Sequence, residues 1–259
     1  MSRSPRNEFA NALYHVTSRG NRGAAIYRAD DDYLRWQDVL GTTVDKYGFL
    51  VHSYCQMPNH FHLLVETPQA NLAAGMAYLN GKYCQKFNWR HELTGHVIQG
   101  RYYALPIERE AHLLETSRYI SLNPVRARLT AHPVAWRWSS YAAFAGKVNA
   151  PAWLHAEWML SQFGKGDLAS RRLAYAEFVL RGIGHGDPLA DLLPRPATTI
   201  ALPSSTDAAQ RDLRLHGRNE AIRHAFLSGG HSISAIARRF GISPRAVRRV
   251  IDMLPAPKK

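Results

Sequence analysis

Cysteine is scarce in this chain: 259 residues include only Cys55 and Cys84. Neither belongs to a Cys-x-x-Cys motif, which excludes a disulfide framework and a zinc site built on cysteine pairs. Two free thiols suit a reducing cytosol. Long apolar runs are missing as well. No segment approaches the roughly 18 consecutive apolar residues of a membrane-spanning helix, and neither an apolar stretch nor a cleavage site follows Met1-Ser2-Arg3-Ser4-Pro5-Arg6. The expectation is a cytoplasmic protein with no membrane partner. Acidic residues are few, 20 against 33 Lys and Arg, giving a net charge of +13 with histidine neutral. Such an excess points to a polyanionic partner. The excess is uneven: residues 211–259 hold 11 Lys and Arg but 3 Asp and Glu, a local net of +8. No internal repeat is visible. What is present is apolar residue enough for a real core, 46% of the chain.

Residues 10–18 read as a strand through Leu13, Tyr14, Val16 and Thr17, and residues 18–23 as a flexible basic loop. Asp30, Asp31 and Asp32 open a helix, where carboxylates suit the positive helix end, and Gly48 closes it. Two strands follow, Phe49 to Gln56 and His60 to Thr67, joined by a turn at Pro58-Asn59. A helix from Leu72 to Phe87, a strand from Tyr102 to Glu108 and a helix from Glu110 to Leu122 complete the order. The first six elements match a split βαβ pattern. The fold class expected is α+β: a ferredoxin-like βαββαβ antiparallel sheet with helices on one face, plus a small all-α helix-turn-helix C-terminal module. The expected domains are 1–147, an extension and Pro/Gly-rich linker over 148–206, and a DNA-binding module over 207–259.

The most informative motif is Met57-Pro58-Asn59-His60-Phe61-His62-Leu63-Leu64. Strand side chains alternate, so His60 and His62 share one sheet face while Phe61 points to the other. Two surface histidines would give the same pattern; two ligands for one metal ion are the functional alternative. Tyr119 and Asn123, four apart, share a face of the last helix, with Leu113, Ser117 and Ile120 on a more buried stripe. A tyrosine hydroxyl, with an ordinary pKa of about 10, is a weak nucleophile at neutral pH. It can attack a phosphodiester whose oxygen is polarised by a divalent metal. Two imidazoles and the Asn123 amide oxygen would leave coordination positions open, and Arg118, Arg126 and Arg128 can hold backbone phosphates.

Taken together, these stretches resemble the single-tyrosine HUH transposases, in particular the REP-associated tyrosine transposases. The resemblance rests on residues 14–21 (Tyr-His-Val-Thr-Ser-Arg-Gly-Asn), the motif over 57–64, Gly100-Arg101-Tyr102, residues 118–127 and the closing aromatic segment Trp136-Arg137-Trp138-Ser139-Ser140-Tyr141. It covers about residues 8–147. It implies that His60 and His62 bind Mg²⁺ or Mn²⁺ and that Asn123 is the third ligand, where relatives often carry Gln. Tyr119 would be the catalytic nucleophile, forming a 5′-phosphotyrosine and releasing a 3′-hydroxyl. The implied partners are single-stranded DNA hairpins, contacted by Arg19, Asn21, Arg22 and Arg101, and the implied state is a monomer or homodimer. Relatives commonly have Trp-Glu-Gly-Arg before the fourth strand; Gln99 stands here where the carboxylate is expected. That departure bears on local DNA contacts rather than on the metal ligands.

Residues 232–251 place Ile233, Ile236, Ala237 and Phe240 on one helix face, a turn at Gly241, a cap at Ser243 and Pro244 at the next helix start. Val247, Val250 and Ile251 face inward; Arg245, Arg248 and Arg249 face out. This resembles a helix-turn-helix, with duplex DNA as its partner. A generic helical hairpin with a solvated arginine face is the plainer alternative. For the whole chain the leading reading is an enzyme, a metal-dependent DNA strand transferase. A non-catalytic DNA-binding regulator on the same fold, and a metal hydrolase of small substrates, are the competitors.

Overall fold

Alternating strands and two amphipathic helices set the frame for the site. The computed structural model describes residues 8–107 and 109–186, together with Ser232, Ile233, Ala237, Pro244, Val247 and Arg248. Two compact units divide the chain, Met1–Arg195 and Pro196–Lys259.

The first unit contains β1 (Ala12–Arg19), α1 (Asp30–Tyr47), β2 (Leu50–Met57), β3 (His60–Thr67), α2 (Leu72–Arg90), β4 (Tyr103–Pro106) and α3 (Arg109–Arg126). The strands form one antiparallel sheet in the order β2-β3-β1-β4. Helix α1 starts where expected: the Asp32 carboxylate accepts hydrogen bonds from the backbone N–H groups of Arg28 and Ala29, at 2.8 and 3.0 Å. It ends at Gly48, whose left-handed backbone (φ 67°) suits a residue without a Cβ. The loop expected to be flexible is tied down on both sides. Gly20 N–H donates to the Asn59 carbonyl, Asn21 N–H to Val97 and Gln99 N–H to Arg19.

Pleat parity sorts the sheet into two faces. Phe61 packs on Trp36 of α1, ring centroids 4.7 Å apart, and Ser18 meets Asn80 of α2. That face carries both long crossover helices. The opposite face carries His60, His62, His15 and Cys55, and it is covered by α3. The expectation of helices on one face alone is therefore corrected. Leu113, Ile120 and Leu122 of α3 are buried, and leaving that stripe in water would forfeit their burial. Helix α3 also runs past its expected end at Leu122, through Pro124 to Arg126. The Asn123 side-chain amide donates to the Tyr119 carbonyl at 2.9 Å, and the Ala127 and Leu129 N–H groups bond back to Asn123 and Pro124. These bonds hold the last turn around the missing proline donor.

Residues 133–186 finish the unit with α4 (Tyr141–Phe144), α5 (Ala156–Ser161) and α6 (Leu168–Leu180). The closing aromatic segment staples the outer edge of β2: Gln56 N–H donates to the Trp138 carbonyl, Trp136 Nε1 to the Gln56 carbonyl, and Trp138 stacks on Tyr33. An exposed strand edge is thereby covered. Within residues 148–186, Leu154, Met159, Leu160, Tyr175 and Val179 are buried. Tyr175 of α6 shares a hydrogen bond with Ser121 of α3 at 2.9 Å.

In the second unit Ile233, Ala237, Pro244, Val247 and Arg248 are helical; Ala237 and Val247 are buried, Pro244 and Arg248 exposed. Arg245, Arg249 and the expected turn at Gly241 lie outside the described residues.

Two glycines of α2 give a paired test of the packing. A Cβ on Gly75 would sit 2.1 Å from the buried Phe49 ring, whereas one on Gly81 meets nothing within 4 Å. Gly75→Ala should destabilise by about 1–3 kcal/mol through overpacking. Gly81→Ala should stabilise by about 0.5–1 kcal/mol through helix propensity. Thermal melts with opposite shifts are the expected result, and equal shifts would refute the packing.

Candidate active site

The turn Pro58-Asn59 delivers His60 at the start of β3, and the pleat returns His62 to the same face. Asn59 orders this corner. Its amide nitrogen donates to the Gly23 carbonyl at 3.2 Å, which leaves its oxygen 2.7 Å from His60 Nδ1. A carbonyl oxygen only accepts, so His60 carries its hydrogen on Nδ1 and keeps the Nε2 lone pair for another partner. His62 Nδ1 lies 2.9 Å from Nε2 of His15 on β1. Among the described residues, Nε2 of His62 is buried with no hydrogen-bond partner.

Burial keeps these imidazoles neutral. Desolvation lowers His60 to about 4, helped by the Arg19 charge, and lowers His15 to about 4. His62 is pushed well below its ordinary value by desolvation and by its two histidine neighbours. Neutral imidazoles are the metal-binding form, and two of them with free or freeable Nε2 atoms fit a divalent cation. The orphaned Nε2 of His62 is the observation that carries this fit. Cys55 sits opposite His62 across the β2–β3 ladder, but burial raises its thiol far above the ordinary value, so it stays protonated and is no competing ligand. Among the described residues no group of three or more His, Cys, Asp or Glu is arranged to hold a metal ion. Among the described residues a third protein ligand would therefore be of another type, such as the Asn123 amide on the neighbouring helix.

Helix α3 brings Tyr119 over the histidines. Its ring meets His62 and His15 edge-on, each at a centroid distance of 5.8 Å. Tyr119 and Asn123 are half-buried on this face, while Leu113, Ser117 and Ile120 are buried, as their spacing indicates. The Asn123 amide nitrogen is committed to the Tyr119 carbonyl, so only its oxygen could serve a cation.

The arginines divide into groups. Arg126 lies over the Tyr119 ring at 4.9 Å. Arg19 pairs with His60 across the β1–β3 ladder and its side chain is exposed. Asn21 and Arg22 form a 3-10 turn beside it, Arg22 in the left-handed region at φ 57°. Arg101 and Arg128 are exposed. Arg118 turns elsewhere: it pairs with Glu115 and covers Phe178 of α6, its guanidinium carbon 4.5 Å from the ring centroid. Arg248 is exposed in the second unit, and Arg245 and Arg249 are outside the described residues. Sequence reasoning gave no role to His15 or Asn59, although both stand in the motifs. Alternation along β1 puts His15 with Thr17, but only the β1–β3 register aligns that face with His62.

No helix of the described residues is long and apolar enough to cross a membrane. Residues 8–123 match the family model described as transposase IS200 like. A Haemophilus influenzae protein provisionally named as a REP-associated tyrosine transposase is 27% identical over 123 residues, spanning 42% of this chain and 69% of its own length. Among solved structures, a REP-associated tyrosine transposase bound to a REP hairpin is 16% identical, covers 58% of this chain and 89% of its own, and has a TM-score of 0.49. A Deinococcus radiodurans protein provisionally described as a transposase is 18% identical, covers 43% of this chain and 89% of its own, and has a TM-score of 0.33. Over residues 8–123 this chain is therefore similar to the IS200-like transposases, and a REP-associated tyrosine transposase is among the proteins it resembles.

Proposed function

We propose that the chain is a metal-dependent DNA strand transferase that nicks and rejoins single-stranded DNA at hairpin sites through a 5′-phosphotyrosine. The observation that carries this reading is the Tyr119 ring set against His62 at 5.8 Å, over a sheet face of neutral imidazoles. His60 and His62 would hold Mg²⁺ or Mn²⁺ through Nε2, with the Asn123 amide oxygen as third ligand. When bound, the cation supplies charge withdrawal from a non-bridging phosphate oxygen. Tyr119 provides the nucleophilic oxygen: its bond to phosphorus forms as the bond to the 3′ oxygen breaks. Attack by a 3′-hydroxyl on the phosphotyrosine reverses the exchange and frees Tyr119. Arg19 and Arg126 flank the reacting centre and hold backbone phosphates; Asn21, Arg22, Arg101 and Arg128 extend that contact along the strand or hairpin. Arg118, engaged by Glu115 and Phe178, serves the α3–α6 contact first. Residues 207–259 read duplex DNA as a helix-turn-helix, with Arg248 on its exposed side.

A nicking assay on a hairpin-bearing single strand tests the reading. Wild-type chain with Mg²⁺ should cut one strand and remain attached to it, and a chelator or His60→Ala should reduce cutting by at least about a hundredfold with hairpin binding retained. Binding without cleavage by the wild type would instead mark a regulator. Arg248→Glu should weaken binding to duplex DNA and flatten its salt dependence while leaving hairpin nicking unchanged; unchanged duplex binding would remove the second unit from that role.

A further inference from the structure

His62 Nδ1 and His15 Nε2 are joined across 2.9 Å by one shared hydrogen, and their rings are within 16° of parallel. Two arrangements satisfy that contact. In one, His62 carries hydrogen on Nδ1 and donates it to His15, which leaves a lone pair on Nε2 of His62. In the other, His15 donates and His62 carries its own hydrogen on Nε2. Only the first can offer Nε2 to a cation. Among the described residues His62 Nε2 and His15 Nδ1 are both buried without a hydrogen-bond partner, so none of these residues selects between the two from the far ends of the pair. At His60 the choice is already made, because the Asn59 oxygen can only accept.

We infer that His15 is a positioning residue for the metal site: it accepts the Nδ1 hydrogen of His62 and so holds that ring in the tautomer that presents Nε2 to a divalent cation. The inference rests on the metal-dependent reading above. Ligating histidines ordinarily donate their second N–H to a fixed acceptor, and losing that acceptor typically weakens metal binding about 10–100-fold. Here the acceptor is itself an imidazole, on the neighbouring strand. Its edge-on contact with Tyr119 at 5.8 Å makes one ring the support for both the metal ligand and the phenol.

The test uses the full chain and Mn²⁺ alone, with free Mn²⁺ followed by its electron paramagnetic resonance signal. His15→Leu should raise the Mn²⁺ dissociation constant about 10–100-fold, and His15→Gln, whose amide oxygen can accept, should recover most of that loss. With Mg²⁺ present, ¹⁵N spectra of the wild-type imidazoles should show His62 protonated at Nδ1. A dissociation constant for His15→Leu within twofold of wild type overturns the proposal, as does His62 protonated at Nε2. If His15→Leu does not fold, the wild-type tautomer decides by itself. Loss of Mn²⁺ binding in His60→Ala with no effect of His15→Leu sinks the role of His15 and keeps the metal site. Failure of the wild type to bind Mn²⁺ sinks both.

Discussion

Tyr119→Phe should abolish the covalent DNA adduct and lower strand nicking by at least about a thousandfold, the scale on which loss of a nucleophile is read. The change deletes one oxygen. It keeps the ring that meets His62 and His15 edge-on and that lies beneath Arg126. Thermal stability should therefore shift by no more than about 1.5 kcal/mol, the net scale of a single hydrogen-bonding group. Hairpin affinity should persist, because the arginines and both histidines are untouched. The measurement is a labelled hairpin strand incubated with Mg²⁺ and resolved under denaturing conditions, where an adduct migrates with the protein. Turnover that survives in Tyr119→Phe would mean that water is the nucleophile and that the chain is a metal hydrolase.

Phe61→Ala should show the opposite signature. Phe61 lies between the two histidines in sequence, yet the pleat sends it to the other side of the sheet, where it is fully buried against Trp36. Truncating a buried phenylalanine removes its transfer free energy and leaves a cavity, together about 3–5 kcal/mol. For a domain of this size the melting temperature should fall by on the order of 10 °C. Well below that temperature the folded fraction should still nick, since the lost ring faces away from His60 and His62. A melting temperature within a degree or two of wild type would contradict the two-faced sheet. Retained stability with lost nicking would place Phe61 on the reacting side, against the register.

Much of the frame was legible because it follows from local rules. Strand β3 begins and ends at the residues its alternation marks, His60 and Thr67. Helix α1 begins at its aspartates and stops at Gly48, and α2 begins at Leu72. Where neighbours from elsewhere in the chain decide, the local rules ran out. Asn123-Pro124 reads as a helix end, but side-chain and following backbone bonds carry α3 to Arg126. The extension after residue 147 carries no assigned element in the sequence reading, yet Tyr175 and Val179 are buried and α6 meets α3 through Tyr175 and Ser121. Arg118 reads as a phosphate ligand by its place beside Tyr119, whereas Glu115 and Phe178 hold its guanidinium.

By itself the sequence determined which side chains are available and which of them share a strand or helix face, because period-two and period-3.6 geometry is set within a few residues. It put His60 with His62, Phe61 opposite them, and Tyr119 with Asn123. Only the tertiary structure decided that His15 from β1 completes the cluster and that the Tyr119 ring of α3 comes to 5.8 Å from His62. These depend on strand register and on the docking of a helix more than fifty residues along the chain. Both are fixed by the burial of many side chains at once, which no local pattern records.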